Sequence, residues 1–358
     1  MENPITNNQV PYKEEKKKKA MKRALLLVNC TILAIGNSGG PLLMRFYFLK
    51  GGKSIWLSSW LETGGWPFIM IPIIVSYFYR RSKEGPGAKL FSITPFLVLP
   101  CAVVGVLTGV DDYLYSYGVS LLPLSTSELI IASQLAFTAG FAYILVKQKF
   151  TAFTVNAVFL LSVGAVVLAF HTNSDRPAHV TTKEYWVGFF MVLGAAALYG
   201  FVLPLVELTY MKAKEVITYS LVMEMQMIMS FFATVFCTIG MLFNDDFKKI
   251  PGEAREYEYG QTTYYVMLVV TSIVWQLFFM GAIGAIFCSS SLLSGIIIAT
   301  LLPVTECLAV VFYHEKFQIE KGLSLTLNLW GFLSYFYGEL QESKKKQQQQ
   351  TAEPELPH

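Results

Sequence analysis

The stretch LTGVDDYLYSYGVSLLPLSTSELIIASQLAFT (107–138) decides how this chain folds. It contains two apolar helical runs separated by a short polar break. Asp111 and Asp112 lie inside the first run. Glu128 and Gln134 lie inside the second. A carboxylate inside a bilayer costs about 3 kcal/mol or more, so such residues are paired, face a water-filled cavity or carry out chemistry.

The composition of the whole chain indicates that these runs lie in a membrane. Hydrophobic residues make up 54% of the chain and charged residues 15%, against about 45–50% and about 25% in soluble proteins. The charges are clustered, and long uncharged runs separate the clusters. This pattern is typical of a polytopic helical membrane protein.

Ten apolar segments are long enough to be predicted as transmembrane helices. They are Ala24–Leu49, Glu62–Tyr79, Ile93–Ser120, Ser125–Val146, Phe153–Phe170, Tyr185–Val206, Val216–Phe243, Tyr264–Phe287, Leu292–Tyr313 and Leu323–Tyr337. The predicted fold class is therefore an all-α polytopic membrane protein. We expect residues 1–23 to be a disordered basic tail, 24–339 the ten-helix membrane domain and 340–358 a second disordered tail.

The distribution of positive charge predicts the orientation of these spans. With the N-terminus in the cytosol, 18 of the 28 Lys and Arg residues fall in the tails and cytosolic turns. Nine fall in outward loops, and Arg45 lies within or beside the first span. This bias follows the positive-inside rule. Because the number of spans is even, both termini are predicted to be cytosolic.

One weak repeat suggests that the chain consists of related halves. Lys149-Phe150 precedes Gly164 at the separation by which Lys316-Phe317 precedes Gly331. Because five spans separate these copies, the halves (about 24–171 and 184–339) would have opposite orientations. Inverted repeats allow alternating access around a site near the membrane midplane. The sequence thus favours ten helices arranged as two inverted five-helix repeats, although chance could produce the match.

Three long segments resemble one family of membrane transporters. They are GGPLLMRFYFLKGGKSIWLSSWLETGGWP (39–67), GVDDYLYSYGVSLLPLSTSELIIASQLAFTA (109–139) and HEKFQIEKGLSLTLNLWGFLSYFYGE (314–339). They are similar to plant purine permeases of the drug/metabolite transporter superfamily. The resemblance extends from Ala24 to Glu339. It does not identify which individual residues of this chain bind the substrate.

The resemblance implies both a fold and a function. The fold would have ten helices in two inverted halves, in agreement with the independent count of spans. The function would be proton-coupled import of purine bases and derivatives, such as adenine or cytokinins, at the plant plasma membrane. Some members carry alkaloids or forms of vitamin B6. The partners would be a purine-like substrate, protons and membrane lipid, and the oligomeric state is left open.

Three acidic residues are candidates for proton coupling, which needs a carboxyl group that gains and loses a proton during the cycle. Asp111 and Asp112 lie toward the outer half of the third span. Adjacent helical positions diverge by about 100°, so we expect one to face the pathway and the other to be paired. A structural pair joining neighbouring helices is the alternative. Glu128 is either a further proton site or an interfacial residue.

The candidate substrate contacts are amide, hydroxyl and aromatic side chains. Gln134 and Thr138 follow one face of the fourth span, and an amide matches the edge of a purine. Tyr115 shares a face with Asp112, and Asn29, Trp275 and Gln276 could complete a pocket from other spans. Polar side chains also join membrane helices, and a lone tryptophan more often packs. The candidate contacts are Asn29, Tyr115, Gln134, Thr138, Trp275 and Gln276.

Several motifs of other classes are missing from the sequence. The five cysteines lie in apolar runs without CxxC spacing, so we expect neither a disulfide framework nor a zinc site. No Walker loop is present, which disfavours direct use of ATP. The four histidines form no metal motif. We therefore expect no enzyme, cofactor, metal or nucleic-acid partner. The alternatives are a facilitative carrier of another small heterocycle and a non-transporting membrane receptor.

Overall fold

The computed structural model describes residues 9–87, 89–169, 180–314 and 319–352. Within these ranges the regular elements are helices and no strand occurs, which confirms the all-α class. The α-helices are α1 (Gln9–Leu49), α2 (Ile55–Thr63), α3 (Met70–Glu84), α4 (Pro95–Leu121), α5 (Leu124–Ile131), α6 (Gln134–Val146), α7 (Ala152–Ala169), α8 (Thr182–Lys212), α9 (Tyr219–Phe243), α10 (Asp246–Glu256), α11 (Gly260–Cys288), α12 (Ser291–Tyr313) and α13 (Ile319–Ala352).

Eight helical stretches of the described residues are long and apolar enough to cross a membrane. They are Ala20–Leu49, Ile55–Ser82, Pro95–Leu121, Thr126–Val146, Thr182–Lys212, Tyr219–Phe243, Gly260–Cys288 and Ser291–Tyr313. The shorter apolar helix Ala152–Gly164 coincides with the fifth predicted span. The tenth predicted span lies within α13. The chain is a helical membrane protein, and ten spans stay a prediction.

The second span differs most from its predicted bounds. It begins at Ile55, not at Glu62, and it is interrupted after Thr63. A glycine pair and Pro67 cause the interruption, because glycine weakens a helix and proline removes a backbone donor. Trp56, expected in a loop, lies in this helix and stacks on Tyr113 of α4 with ring centroids 4.1 Å apart. Glu62 is consequently inside the bundle.

Two further differences concern polar segments. The fourth span is divided into α5 and α6 at Ala132–Ser133, where the prediction had one helix. The mixed-charge loop after α9 forms the helix α10, which packs on α9 and α11. Its buried Glu253 accepts hydrogen bonds from Tyr47 (2.7 Å) and Tyr264 (3.1 Å). A charged loop thus folds because its carboxylate has buried hydroxyl partners.

Both terminal helices extend into the predicted tails. Helix α1 already begins at Gln9, and α13 continues to Ala352. Lys, Glu and Gln have high helix propensity, and each polar segment extends an apolar helix whose nucleation is already complete. The proposed division of the chain at residues 23 and 340 stays a prediction.

Close approach of helix pairs organises the bundle. Helix α1 packs along α11, α4 along α8, and α7 along α13. At the first contact Gly36 faces the backbone of Phe278, and a Cβ at Gly36 would overlap it. Gly281 faces Leu33 in the same way. Small residues allow membrane helices to approach closely, and dispersion contacts then stabilise the pair.

The repeat signature has a structural counterpart where it can be followed. Gly164 of α7 accepts a hydrogen bond from the Ser324 hydroxyl of α13 at 2.9 Å. Gly331 of α13 lies against Ala157 and Leu161 of α7. The two glycines therefore occupy related positions in one helix pair. Lys316-Phe317, the second copy of the dipeptide, lies outside the described residues.

The α1–α11 contact leads to a stability prediction. Gly36→Ala should lower the thermal melting temperature of the purified protein, because added volume in a tight interface destabilises by about 1–3 kcal/mol. Gly140→Ala in α6 is the matched control, since a Cβ there meets no atom within 4 Å. Equal melting temperatures for Gly36→Ala and Gly140→Ala would contradict this account of the interface.

Candidate functional site

A central cavity lies between α1, α2, α4, α5, α6, α8, α11 and α12. Its lining is Asn37, Pro41, Glu62, Asp111, Asp112, Tyr115, Glu128, Ile131, Gln134, Ala195, Tyr199, Trp275, Phe278, Phe279, Ile298 and Leu302. Most of these residues lie near the middle of their helices. The cavity is therefore near the centre of the bundle, where a transporter with two related halves binds its substrate.

The volume of the central cavity is about 50 Å³. A buried water molecule needs roughly 10–15 Å³ of cavity volume. The cavity therefore has room for about four waters and is too small for a purine. A purine-sized ligand therefore requires the walls to move apart. Two of the walls, α2 with α3 and α5 with α6, are interrupted helices that can change shape locally.

Four carboxyl groups line the cavity. They belong to Glu62, Asp111, Asp112 and Glu128, and Asp111 is the most exposed of the four at 8%. Glu62 accepts a hydrogen bond from Ser116 at 2.8 Å. Among the described residues, both carboxylate oxygens of Asp112 and one of Asp111 have no hydrogen-bond partner. The described lining contains no Lys, Arg or His.

Aromatic rings form the apolar part of the lining. Trp275 lies 5.8 Å from Tyr115 and 5.5 Å from Phe278, measured between ring centroids. Tyr199 lies 5.7 Å from Phe278. Such rings offer flat and edge surfaces to a planar heterocycle. The hydroxyl of Tyr115 donates to Glu128 at 3.0 Å and joins the aromatic wall to the acidic one.

Three nitrogen donors facing the cavity have no hydrogen-bond partner among the described residues. They are the side-chain nitrogens of Asn37, Gln134 and Trp275. A buried polar group without a partner costs about 1–3 kcal/mol, so a ligand or water that accepts these hydrogen bonds is favoured. These nitrogens can donate hydrogen bonds to a polar ring edge, and the unpartnered oxygens of Asp111 and Asp112 can accept hydrogen bonds from it.

The helix interruptions place polar groups at the cavity. Glu62 immediately precedes the break after α2, and Gln134 immediately follows the break before α6. The Gln276 amide donates to the backbone oxygens of Glu62 (3.3 Å) and Thr63 (3.0 Å). Ser133 donates to the backbone oxygen of Ile130 at 2.7 Å. Buried partners thus satisfy backbone groups that the breaks release, as membrane proteins require.

Six of the nine predicted site residues meet at this cavity. They are Asp111, Asp112, Tyr115, Glu128, Gln134 and Trp275. Asp111 and Asp112 both line the cavity, and the division between a pathway-facing aspartate and a paired one stays a prediction. Their side chains leave α4 in directions about 100° apart, and both reach the cavity because its lining includes residues of α2 and of α8.

The other three predicted residues lie outside the lining. Asn29 accepts a hydrogen bond from Tyr219 at 2.9 Å and packs against Gly284. Thr138 is fully buried near Gly295 of α12. Gln276 binds the end of α2, as described above. These positions join helices to one another, which is the alternative that the sequence had left open.

Sequence reasoning missed Glu62, Asn37, Tyr199 and the Phe278-Phe279 pair. Glu62 was assigned to the outer end of a span because the start of that span was placed too late. Asn37 lies in the GNSGGP segment, where the glycines and proline already signalled an irregular helix. Tyr199 and the two phenylalanines gave no signal, since aromatic residues are common throughout the apolar runs.

A bundle of membrane-spanning helices around a polar, aromatic-lined cavity is typical of membrane transport proteins. The comparison with known families agrees with this class. A family model described as purine nucleobase transmembrane transport matches residues 24–345. The chain belongs to this family, the purine permeases, and is accordingly an integral membrane transporter, not an enzyme.

Individual relatives are similar over nearly their whole length. Purine permease 3 of Arabidopsis thaliana is 54% identical over 340 residues, covering 94% of this chain and 97% of the relative. Purine permease 2 of the same plant is 52% identical, covering 94% and 98%. One solved crystal structure aligns with a TM-score of 0.55 at 14% identity, covering 87% of this chain and 98% of that one. This last likeness concerns the fold alone.

The position of Trp275 predicts a spectroscopic signal of binding. Adenine added to the purified protein should change the tryptophan fluorescence, and Trp275→Phe should remove most of that change, because Trp275 lines the cavity. Trp330→Phe is the control, since Trp330 on α13 is 64% exposed and outside the cavity. A fluorescence change that survives in Trp275→Phe but disappears in Trp330→Phe would place the ligand elsewhere.

Proposed function

We propose that the protein imports purine bases and derivatives, such as adenine or cytokinins, together with protons. One observation carries this proposal: four buried carboxyl groups share a cavity with an aromatic wall and unpartnered amide nitrogens. The aromatic wall suits a planar ring, and the amides suit its polar edge. The carboxyl groups suit a proton that travels with the substrate.

Base recognition is assigned to Tyr115, Gln134 and Trp275, with Asn37 and Tyr199 added from the structure. The ring would lie against the aromatic side chains, and the free Gln134 and Asn37 nitrogens would donate to ring nitrogens. The unpartnered oxygen of Asp111 would accept from an exocyclic amine. A site built to pair with polar atoms rejects analogues that lack them. This favours amino-substituted purines over apolar rings of similar size.

Proton coupling is assigned to Asp111, Asp112 and Glu128. Buried carboxylates that share one cavity repel one another, so they are not all ionised at once. At least one group therefore holds a proton while substrate binds. A proton taken up from the acidic outer side and released to the cytosol would then drive accumulation.

The proposed architecture is ten transmembrane helices in two inverted five-helix repeats. With α7 and α13 counted as the fifth and tenth spans, the helix pairs support it. The α1–α11 pair joins spans one and eight, and the α4–α8 pair joins three and six. In an inverted five-span repeat, spans one and eight correspond to spans six and three, so each of these two pairs is the counterpart of the other. It leaves the α7–α13 pair unchanged.

We propose that both termini lie in the cytosol of a plant cell, at the plasma membrane; the loop contacts support the division of the loops between two sides of the membrane. Lys50 and Lys53, which are predicted to face outward, pair with Glu258 (3.0 Å) and Glu256 (2.9 Å) of another outward loop. On the opposite side, Glu207 accepts from the backbone of Ser291 at 2.7 Å. Segments assigned to one side of the membrane thus meet each other.

A transport assay in proteoliposomes tests this function. Radiolabelled adenine should accumulate when the outer pH is lower than the inner pH. If one proton accompanies each neutral substrate, one pH unit supports at most about tenfold accumulation. Equilibration without accumulation, unaffected by an uncoupler, would favour facilitated diffusion of a small heterocycle. Binding without any flux would favour the receptor alternative.

Replacing Asp111 by Asn should abolish accumulation or reduce it strongly, because the amide cannot take up and release a proton. Asp245→Asn is the matched control. Asp245 lies at the start of α10, and a hydrogen bond from Lys248 lowers its pKa, so it stays ionised throughout the assay. Undiminished accumulation by Asp111→Asn would eliminate Asp111 as a coupling or binding residue.

A further inference from the structure

Glu62 is a buried carboxyl group that no sequence motif had marked. It is 2% exposed and lies one residue before the end of α2. Its side chain reaches the central cavity, where it interacts electrostatically with Asp112 of the adjoining helix α4. The site is not merely an acidic cluster, because unpartnered nitrogens of Gln134 and Trp275 also face it.

The partners of the two carboxyl groups are unequal. Ser116 donates a hydrogen bond to one oxygen of Glu62 at 2.8 Å. Both oxygens of Asp112 are buried and lack a hydrogen-bond partner among the described residues. One proton held between Glu62 and Asp112 would supply the missing donor and remove one negative charge. Two carboxyl groups sharing a site behave in this way because both cannot be ionised together.

Gln276 fixes the position of Glu62. Its amide nitrogen donates to the backbone oxygens of Glu62 and Thr63, which end α2. The amide oxygen accepts from the Ser230 hydroxyl of α9 at 3.4 Å. Gly65 lies against the backbone of Ser272 on α11, where a side chain would collide. The end of α2 is thereby held to α11, the helix that carries Gln276.

We propose that Glu62 and Asp112 share and carry the transported proton, and that Gln276 positions Glu62 for this role. The proposal rests on the proposed function, whose proton assignments it extends to Glu62. The proton comes from water on the outer side, forms an O–H bond with one carboxylate oxygen and returns to water in the cytosol. No substrate bond is made or broken.

The arrangement gives a physical route for coupling. Trp275 of the aromatic wall and Gln276 are consecutive residues of α11. A ring that binds against Trp275 moves or fixes the segment that holds the end of α2. Substrate binding then changes the distance between Glu62 and Asp112, and with it the affinity of the pair for the proton.

Other ionisable groups also face this pair. On its own helix Asp112 follows Asp111, and Tyr115 lies one turn beyond. Tyr199 of α8 and Cys237 of α9 interact electrostatically with Asp112. Glu128 of α5 is reached through Tyr115. Arg45 of α1 lies toward the outer end and donates to the backbone oxygen of Val119 at 3.2 Å.

The first test is Glu62→Gln in proteoliposomes, with two assays for radiolabelled adenine. Counterflow measures exchange without a proton gradient, and accumulation measures coupling to an inward gradient. The variant should retain counterflow and lose accumulation, because Gln accepts from Ser116 but cannot release a proton. Wild-type accumulation is measured in parallel; its absence would contradict the proposed function itself, independently of Glu62.

Glu253→Gln is the matched control for this variant. Glu253 is also a buried, hydroxyl-bonded carboxyl group, but it lies in α10 outside the central cavity. The Glu253→Gln variant should accumulate adenine with the pH profile of the wild type. Accumulation by Glu62→Gln equal to that of the control would overturn the proposal. So would loss of counterflow in a monodisperse Glu62→Gln protein, which would make Glu62 a substrate-binding residue.

Gln276→Met provides an independent test should Glu62→Gln fail to fold. Methionine keeps the length of the side chain and removes its hydrogen bonds to α2. The pH midpoint of adenine uptake should shift by about half a unit or more, a change of roughly threefold in proton affinity, while the KM for counterflow stays close to the wild-type value. An unchanged pH midpoint, whether or not the KM changes, would contradict a positioning role.

Discussion

Buried carboxyl groups constrain this membrane protein more than any other feature. In a low-dielectric interior an ionised carboxylate is tolerated only with a balancing charge, hydrogen-bond donors or water. Glu62, Asp111, Asp112 and Glu128 line one central cavity. Ser116 and Tyr115 supply hydroxyl donors to two of them. One oxygen of Asp111 and both oxygens of Asp112 have no donor among the described residues, so they depend on protons, water or a ligand.

The ends of the helices are tied differently from the centre. At the predicted outer side, Glu253 is held by Tyr47, Tyr264 and Ser54 and joins α1, α10 and α11. At the opposite side, Glu224 accepts hydrogen bonds from the backbone of Ser92 and Ile93 ahead of α4. Hydroxyl groups thus supply the donors of Glu253, and the backbone supplies those of Glu224, whose second oxygen has no partner among the described residues.

Much of the fold could be read from the sequence because its signal is strong. Long apolar runs have one stable arrangement in a bilayer, namely helices, and the acidic pair at Asp111 and Asp112 was visible against them. Glu62 was hidden because its helix begins seven residues earlier than the apolar pattern suggested, at Ile55. The helix α10 was missed because one of the buried partners of Glu253, Tyr47, lies 206 residues away in the sequence.

The site was predicted in part for similar reasons. A polar residue in an apolar run can either face a cavity or join two helices, and periodicity does not distinguish these cases. Gln134 faces the cavity, whereas Gln276 binds the backbone at the end of α2. The difference depends on which neighbouring helix supplies an acceptor. That information is tertiary and absent from the local sequence.

The central claim is that a purine binds in the cavity formed by the carboxyl groups and the aromatic wall. A structure of the purified protein with adenine bound tests it most directly. The account predicts density for the ring beside Trp275 and Tyr115, with a polar edge toward Asp111 and the cavity enlarged beyond about 50 Å³. Well-ordered adenine at another place, with the cavity unchanged, would contradict it.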